Sequence, residues 1–84
     1  MSPEQAIVAI RGYAAAGRIV VAGHALQRMR QRNVTFRDIR CALTSANACE
    51  ATGPKWKVTG PDVDCENLTC VVAIEDGVVV VTVF

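Results

Sequence analysis

Aromatic side chains are scarce in this sequence, with two Phe, one Trp and one Tyr among 84 residues. A core built from it must be mostly Val, Ile, Leu and Ala. Histidine occurs once, as His24, and proline three times. No apolar run approaches the roughly 18 residues of a membrane-spanning helix. The run Val78–Val83 is only strand length. No membrane partner is expected. The opening MSPEQ has no basic stretch ahead of an apolar core. That predicts no secretory signal and a cytoplasmic location. The cysteines Cys41, Cys49, Cys65 and Cys70 form no C-x-x-C pair and match no common zinc spacing. Without export, disulfides are not expected. The expectation is free thiols, mostly buried as small hydrophobes, with no metal and no cofactor. The alternative, a zinc site joining His24 to cysteines, is not suggested by the spacing.

What is present is a chain that is 51% hydrophobic, rich enough to fold and short enough for a single domain over residues 1–84. It has no repeat, low-complexity segment or internal linker, but it changes character once. Residues 1–45 read as helices. Ser2, Pro3 and Gln5 form a helix start with a capping box. Ile7, Ile10 and Ala14 follow at helical spacing, and Gly17 can end the helix. The reading gives Pro3–Ala16. A second helix is expected from Ala22 to Gln31, with Asn33 as a left-handed stop. A third, Phe36–Ser45, starts at TFRD, where Thr35 caps and Asp38 lies three residues on. Phe36, Ile39 and Leu43 form its apolar stripe.

Residues 46–84 read as strands, at Trp56–Thr59, Leu68–Ile74 and Val78–Phe84. Asp76–Gly77 supplies a hairpin turn between the last two. The pairs Gly53–Pro54 and Gly60–Pro61 punctuate the chain, and the polar stretch Pro61–Asn67 makes the other connection. The pattern is α+β, with N-terminal helices packed on a C-terminal antiparallel sheet. The last two strands are apolar on both faces. Helices should cover one face, and a partner part of the other.

Charge is divided between the halves. Residues 1–44 carry seven arginines against Glu4 and Asp38, a balance of +5. Residues 45–84 carry Lys55 and Lys57 against six acids, a balance of −4. Arg28, Arg30, Arg32, Arg37 and Arg40 are concentrated in a short span. Arginine's planar fork suits bidentate contact with phosphate, so the polarity predicts an anionic ligand on one side. A solvated helix surface is the competing explanation.

The stretch HALQRMRQR, His24–Arg32, sharpens the question. On a helix, Ala22, Ala25, Leu26 and Met29 form an apolar stripe. With His24 at the origin, Arg28 lies at about 40° and Arg32 at about 80°, beside the stripe. Arg30 points elsewhere. His24, Arg28 and Arg32 therefore form a row at the rim where the helix meets the sheet. The row is either a site or a set of ion pairs with the acids of the second half.

The pattern HALQRMRQRNVTFRDI resembles the signature H-A-x-x-R-M-x-x-R-x-[IV]-[ST]-x-x-D-[IV] of domain-of-unknown-function family 4258. The second half, WKVTGPDVDCENLTCVVAIEDGVVVVTVF, is similar to that family's strand, polar loop, strand, turn, strand ending in T-V-[YF]. The likeness covers about Val20 to Phe84. Cys65 departs from it, standing where such loops usually carry glycine, and the first helix lies outside it. The family is considered related to the BrnT and RelE toxins of bacterial toxin–antitoxin systems. The resemblance thus implies a RelE/BrnT-like fold and a metal-independent ribonuclease toxin.

Cleaving RNA without a metal needs a base for the 2′-hydroxyl proton, a cation for the phosphorane charge and an acid for the leaving oxygen. His24 is the only side chain whose ordinary pKa lies near neutrality. Arg28 and Arg32 can clamp phosphate. Lys57 and Thr82 can complete a catalytic set if the helix packs across their strands, with Lys55, Arg37 and Arg40 as RNA-binding residues. Lys57 has the alternative of an exposed strand lysine, and Thr82 that of an ordinary strand residue. Trp56, between two lysines, either packs in the core or stacks a base. The expected partners are an RNA substrate and a protein antitoxin over the basic face, with homo-oligomerisation left open. The competing function is a non-catalytic domain that binds protein or nucleic acid through the same arginines.

Overall fold

The computed structural model describes all residues, Met1–Phe84. Three helices and five strands follow in the order α1 (Pro3–Ala15), β1 (Ile19–Val21), α2 (Gly23–Arg32), α3 (Phe36–Thr44), β2 (Ala48–Thr52), β3 (Lys55–Pro61), β4 (Asn67–Ile74) and β5 (Val78–Val83). The fold is α+β. The sheet order is β1-β5-β4-β3-β2. Three of its four pairings are antiparallel, but β1 runs parallel to β5. The sheet is therefore mixed rather than wholly antiparallel. Neither β1 nor β2 was expected. β1 is three residues long, too short to show a period. β2, ACEAT, has four of five residues exposed and so no apolar alternation.

Each helix begins or ends for a local reason. At α1, Gln5 N–H donates to Ser2 Oγ at 3.2 Å and Ser2 N–H to Gln5 Oε1 at 2.9 Å, a complete capping box. Ala6, Ile10 and Ala14 are its buried face. Asn33 ends α2 in the left-handed conformation at φ 55°, as its short polar side chain permits. At α3, Thr35 and Asp38 close a second box, with Thr35 N–H donating to Asp38 Oδ2 at 2.9 Å.

Two apolar stripes are narrower than the sequence suggested. Leu26 is 45% exposed and Phe36 is 44% exposed. α2 buries Ala25 and Met29, while α3 buries Ile39, Ala42 and Leu43. The helices cover one sheet face, where Val58, Leu68, Cys70, Val72, Val78, Val80 and Val83 complete the core. Trp56 pairs with Val72 and packs against this core. It is a packing residue and cannot stack a base on the open face.

Gly60 is not punctuation. It lies inside β3, where α3 sits directly on the strand. A Cβ there would overlap the carbonyl oxygen of Ala42 and come within 3.0 Å of Ala46 Cα. The glycine is a steric requirement for α3 to seat.

β5 contains a bulge. Val71 pairs with Thr82 but Val72 pairs with Val80, so Val81 is an extra residue. Regular alternation would put Thr82 on the helix-covered side with Val78 and Val80. The bulge turns Thr82 to the open face and buries Val83 instead.

The cysteines stand on α3 (Cys41), β2 (Cys49), the β3–β4 loop (Cys65) and β4 (Cys70), all as free thiols. Only Cys70 is fully buried, and burial pushes its thiol up to about 12. Burial also raises Cys49. Cys65 is exposed and left-handed at φ 63°. That backbone explains why a glycine would suit this loop.

Candidate functional site

α2 is tied to β5 at two levels. Ala22 N–H donates to the Val80 carbonyl at 3.0 Å, and Arg28 Nε–H donates to the Val83 carbonyl at 3.2 Å. Six helical residues rise about 9 Å and three strand residues about 10 Å. The helix therefore runs alongside the strand. β1 reaches only as far as Val80, so Val81–Val83 have no strand neighbour on that side. α2 occupies this open edge.

Of the row expected from the sequence, Arg28 reaches this edge. Arg28 is half-buried, while His24 and Arg32 are exposed. One of Arg28's nitrogens is held by the Val83 carbonyl. No ion pair with the acids of the second half forms here, since the only two are Arg18–Asp76 and Lys57–Glu50. His24 lies one turn before Arg28 on the same side of α2. It makes no hydrogen bond to the protein, nor does Arg32.

Lys57 and Thr82 lie on the open face. The pairings Glu50–Lys57, Lys57–Val71 and Val71–Thr82 put these side chains in one row across β2 to β5. Lys57 and Thr82 are two strand spacings apart, about 10 Å. Lys57 Nζ stands 3.9 Å from Glu50 Oε1 and 5.7 Å from the centre of the Phe84 ring. The end of β5 is thus bracketed, with Arg28 on the Val83 carbonyl at the strand edge and Lys57 over Phe84 on the open face. Thr82 lies on the same strand end, with β4 between it and Lys57. Lys55 shares the open face, opposite Thr52.

The remaining RNA-binding candidates separate. Arg37 projects from the first turn of α3, exposed and without a hydrogen-bonding partner. Arg40 turns toward α1, donating from Nε to the Ala14 carbonyl at 3.2 Å and from a terminal nitrogen to the Ala15 carbonyl at 3.0 Å. It satisfies the last carbonyls of α1 and complements that helix's negative end. Arg11 does the equivalent for the Ala46 carbonyl beyond α3. Arg11 and Arg40 therefore have structural duties that spacing could not reveal.

Asp38 is also structural. Its carboxylate accepts from Thr35 N–H and Oγ and, at 3.3 Å, from Val63 N–H, tying the β3–β4 loop to α3. The Thr35 backbone bond is the main force holding its pKa below the usual aspartate value. Phe84 is the residue that sequence reasoning missed. Its exposure depends on the bulge, which leaves no sequence period.

A family model described as Domain of unknown function (DUF4258) matches residues 21–84. The chain belongs to this family. Neither a curated protein nor a solved structure matches it. Within the quoted signature, Ala25, Met29 and Ile39 are core residues, and Thr35 and Asp38 are a helix cap. His24, Arg28 and Arg32 are the members that packing and capping leave over.

Proposed function

For a member of this family, we propose a metal-independent endoribonuclease toxin, restrained by an antitoxin protein that covers the basic face. One observation carries the reading. Arg28 is fixed through Nε to Val83, leaving its terminal nitrogens for a ligand at the end of β5, where Thr82 lies and where Lys57 reaches over Phe84. An arginine held this way is pre-organised for phosphate. His24, one turn away, is free to move a proton. In the proposed reaction His24 removes the 2′-hydroxyl proton and that oxygen attacks the phosphorus. The bond to the 5′ oxygen breaks, leaving a 2′,3′-cyclic phosphate. Arg28 and Arg32 stabilise the developing charge. The departing oxygen takes a proton from Lys57 or from water.

Expression in a bacterial host tests it. The protein alone should arrest growth and leave new 5′-hydroxyl ends in cellular RNA. Co-expression with the product of a neighbouring gene should restore growth. Normal growth with intact RNA would sink the proposal.

A second reading has its own support. The molecule's three shallow concavities, of about 230, 340 and 160 Å³, include none of His24, Arg28 and Arg32. An open surface suits a non-catalytic domain that binds nucleic acid or protein through these arginines. On that reading, loss of His24 would leave binding unchanged.

A further inference from the structure

Phe84 combines a fixed backbone with an exposed ring. Its N–H donates to the Thr69 carbonyl at 2.9 Å, so the sheet sets its position. Its side chain is nevertheless 48% exposed. The bulge at Val81 delivers it, with Thr82, to the open face. Lys57 Nζ lies 5.7 Å from the ring centre. The carbonyl of the preceding residue, Val83, holds Arg28. An exposed, ordered aromatic therefore has one cation over its ring and a second, Arg28, bonded to the carbonyl of the residue before it.

The other aromatics lack this arrangement. Trp56 packs against the core, and Tyr13, which has Arg18 at 5.6 Å from its ring centre, is partly packed against the core rather than set on the open sheet face. Phe36 is exposed on α3 with no cation over its ring. Charge selects the class of ligand for Phe84. Lys57 stands over its ring, Arg28 is bonded to the neighbouring Val83 carbonyl, and Glu50, beside Lys57, is the one acid in the row. A polyanion fits, and a ring on a flat sheet face can take only a base that is free of its own stack.

We propose that Phe84 is a nucleobase-stacking platform for single-stranded RNA, with Lys57 and Arg28 taking the phosphates flanking the stacked base. The inference rests on the RNA reading above and adds a binding subsite to it. It also explains the bulge, without which Phe84 would face the helices.

The test is binding of a fluorescein-labelled, 2′-O-methyl oligonucleotide of about eight nucleotides, within the usual single-strand site size. Lacking the free 2′-hydroxyl, it binds without being cut. Anisotropy should show Phe84→Ala and Phe84→Leu weakening binding about 5- to 100-fold, the range of one lost base stack. Phe84→Trp should bind at least as well as wild type. One abasic position in the oligonucleotide should weaken wild type but have little further effect on Phe84→Leu. Circular dichroism should show all three variants folded. Wild-type affinity in Phe84→Leu, or equal abasic penalties in both proteins, would overturn the stacking proposal alone. Tight binding that depends on Phe84 without any cleavage of ordinary RNA would uphold it and remove the catalytic reading. No binding by wild type would overturn both.

Discussion

Replacing Gly60 with alanine should strongly destabilise the protein, because the obstacle to the new methyl is backbone. The added Cβ would overlap the Ala42 carbonyl oxygen, with the Ala42 carbonyl carbon at 2.8 Å and Ala46 Cα at 3.0 Å. None of these atoms can rotate aside, so α3 must lift from β3. The lift would thin the contacts of Ile39 and Leu43, both buried, and a gap of about 0.5–1 Å already forfeits a quarter to a half of each contact's attraction. Overpacking typically costs about 1–3 kcal/mol, and an immovable neighbour puts this site at the top of that range. A domain of this size has about 4–13 kcal/mol of stability in all. A loss of about 3 kcal/mol lowers Tm by roughly 12–24 °C. Gly12→Ala is the control, since nothing lies within 4 Å of its added Cβ. In the last turn of α1, that change should raise stability by up to about 0.5–1 kcal/mol. Urea and thermal unfolding followed by circular dichroism measure both. If Gly60→Ala unfolded within about 0.5 kcal/mol of wild type, an ordinary surface effect, α3 would not sit on β3 as described.

Three further outcomes follow from named groups. Asp38→Asn should cost about 1 kcal/mol at neutral pH, the usual worth of a cap. Because Asp38's pKa is lowered on folding, wild type's advantage should be complete above about pH 4 and fade as pH falls through the depressed value; a gap unchanged down to pH 2 would refute the role. In native protein, a thiol reagent should label exposed Cys65 first and buried Cys70 last, and Cys65→Ser should abolish the fast phase. Cys70's raised pKa should make stability fall as pH climbs from about 9 toward 12, a decline that Cys70→Val should lack in urea titrations at alkaline pH.

Much of this architecture was legible in the sequence. The capping boxes at Ser2 and Thr35, the left-handed Asn33 and the Asp76–Gly77 turn are local, so short motifs reveal them. The longer strands could be read because Val, Ile and Leu dominate them. β1 and β2 could not be read, since one is held by parallel pairing with distant Val78–Val80 and the other by β3 alone. Leu26 and Phe36 satisfied helical spacing yet face solvent, because the sheet accommodates a narrower stripe from each helix. For the candidate site, helical geometry placed His24, Arg28 and Arg32 on one side of α2. Which arginines serve carbonyls, as Arg40 and Arg11 do, depends on contacts between helices that spacing does not encode. The bulge at Val81 re-aims Thr82 and Phe84, and a run of identical valines carries no trace of it.

The most direct measurement is the rate at which purified protein cleaves single-stranded RNA in excess EDTA, for wild type, His24→Ala, Arg28→Ala and Arg30→Ala. Wild type should cleave without metal. His24→Ala should lose about 10²- to 10⁴-fold, as for an acid–base group, and Arg28→Ala about 10²- to 10³-fold, as for a charge-stabilising donor. Arg30→Ala, on another side of α2, should stay within a few-fold of wild type, and all variants should melt as folded proteins. No cleavage by wild type, or equal rates in all four proteins, would contradict the account.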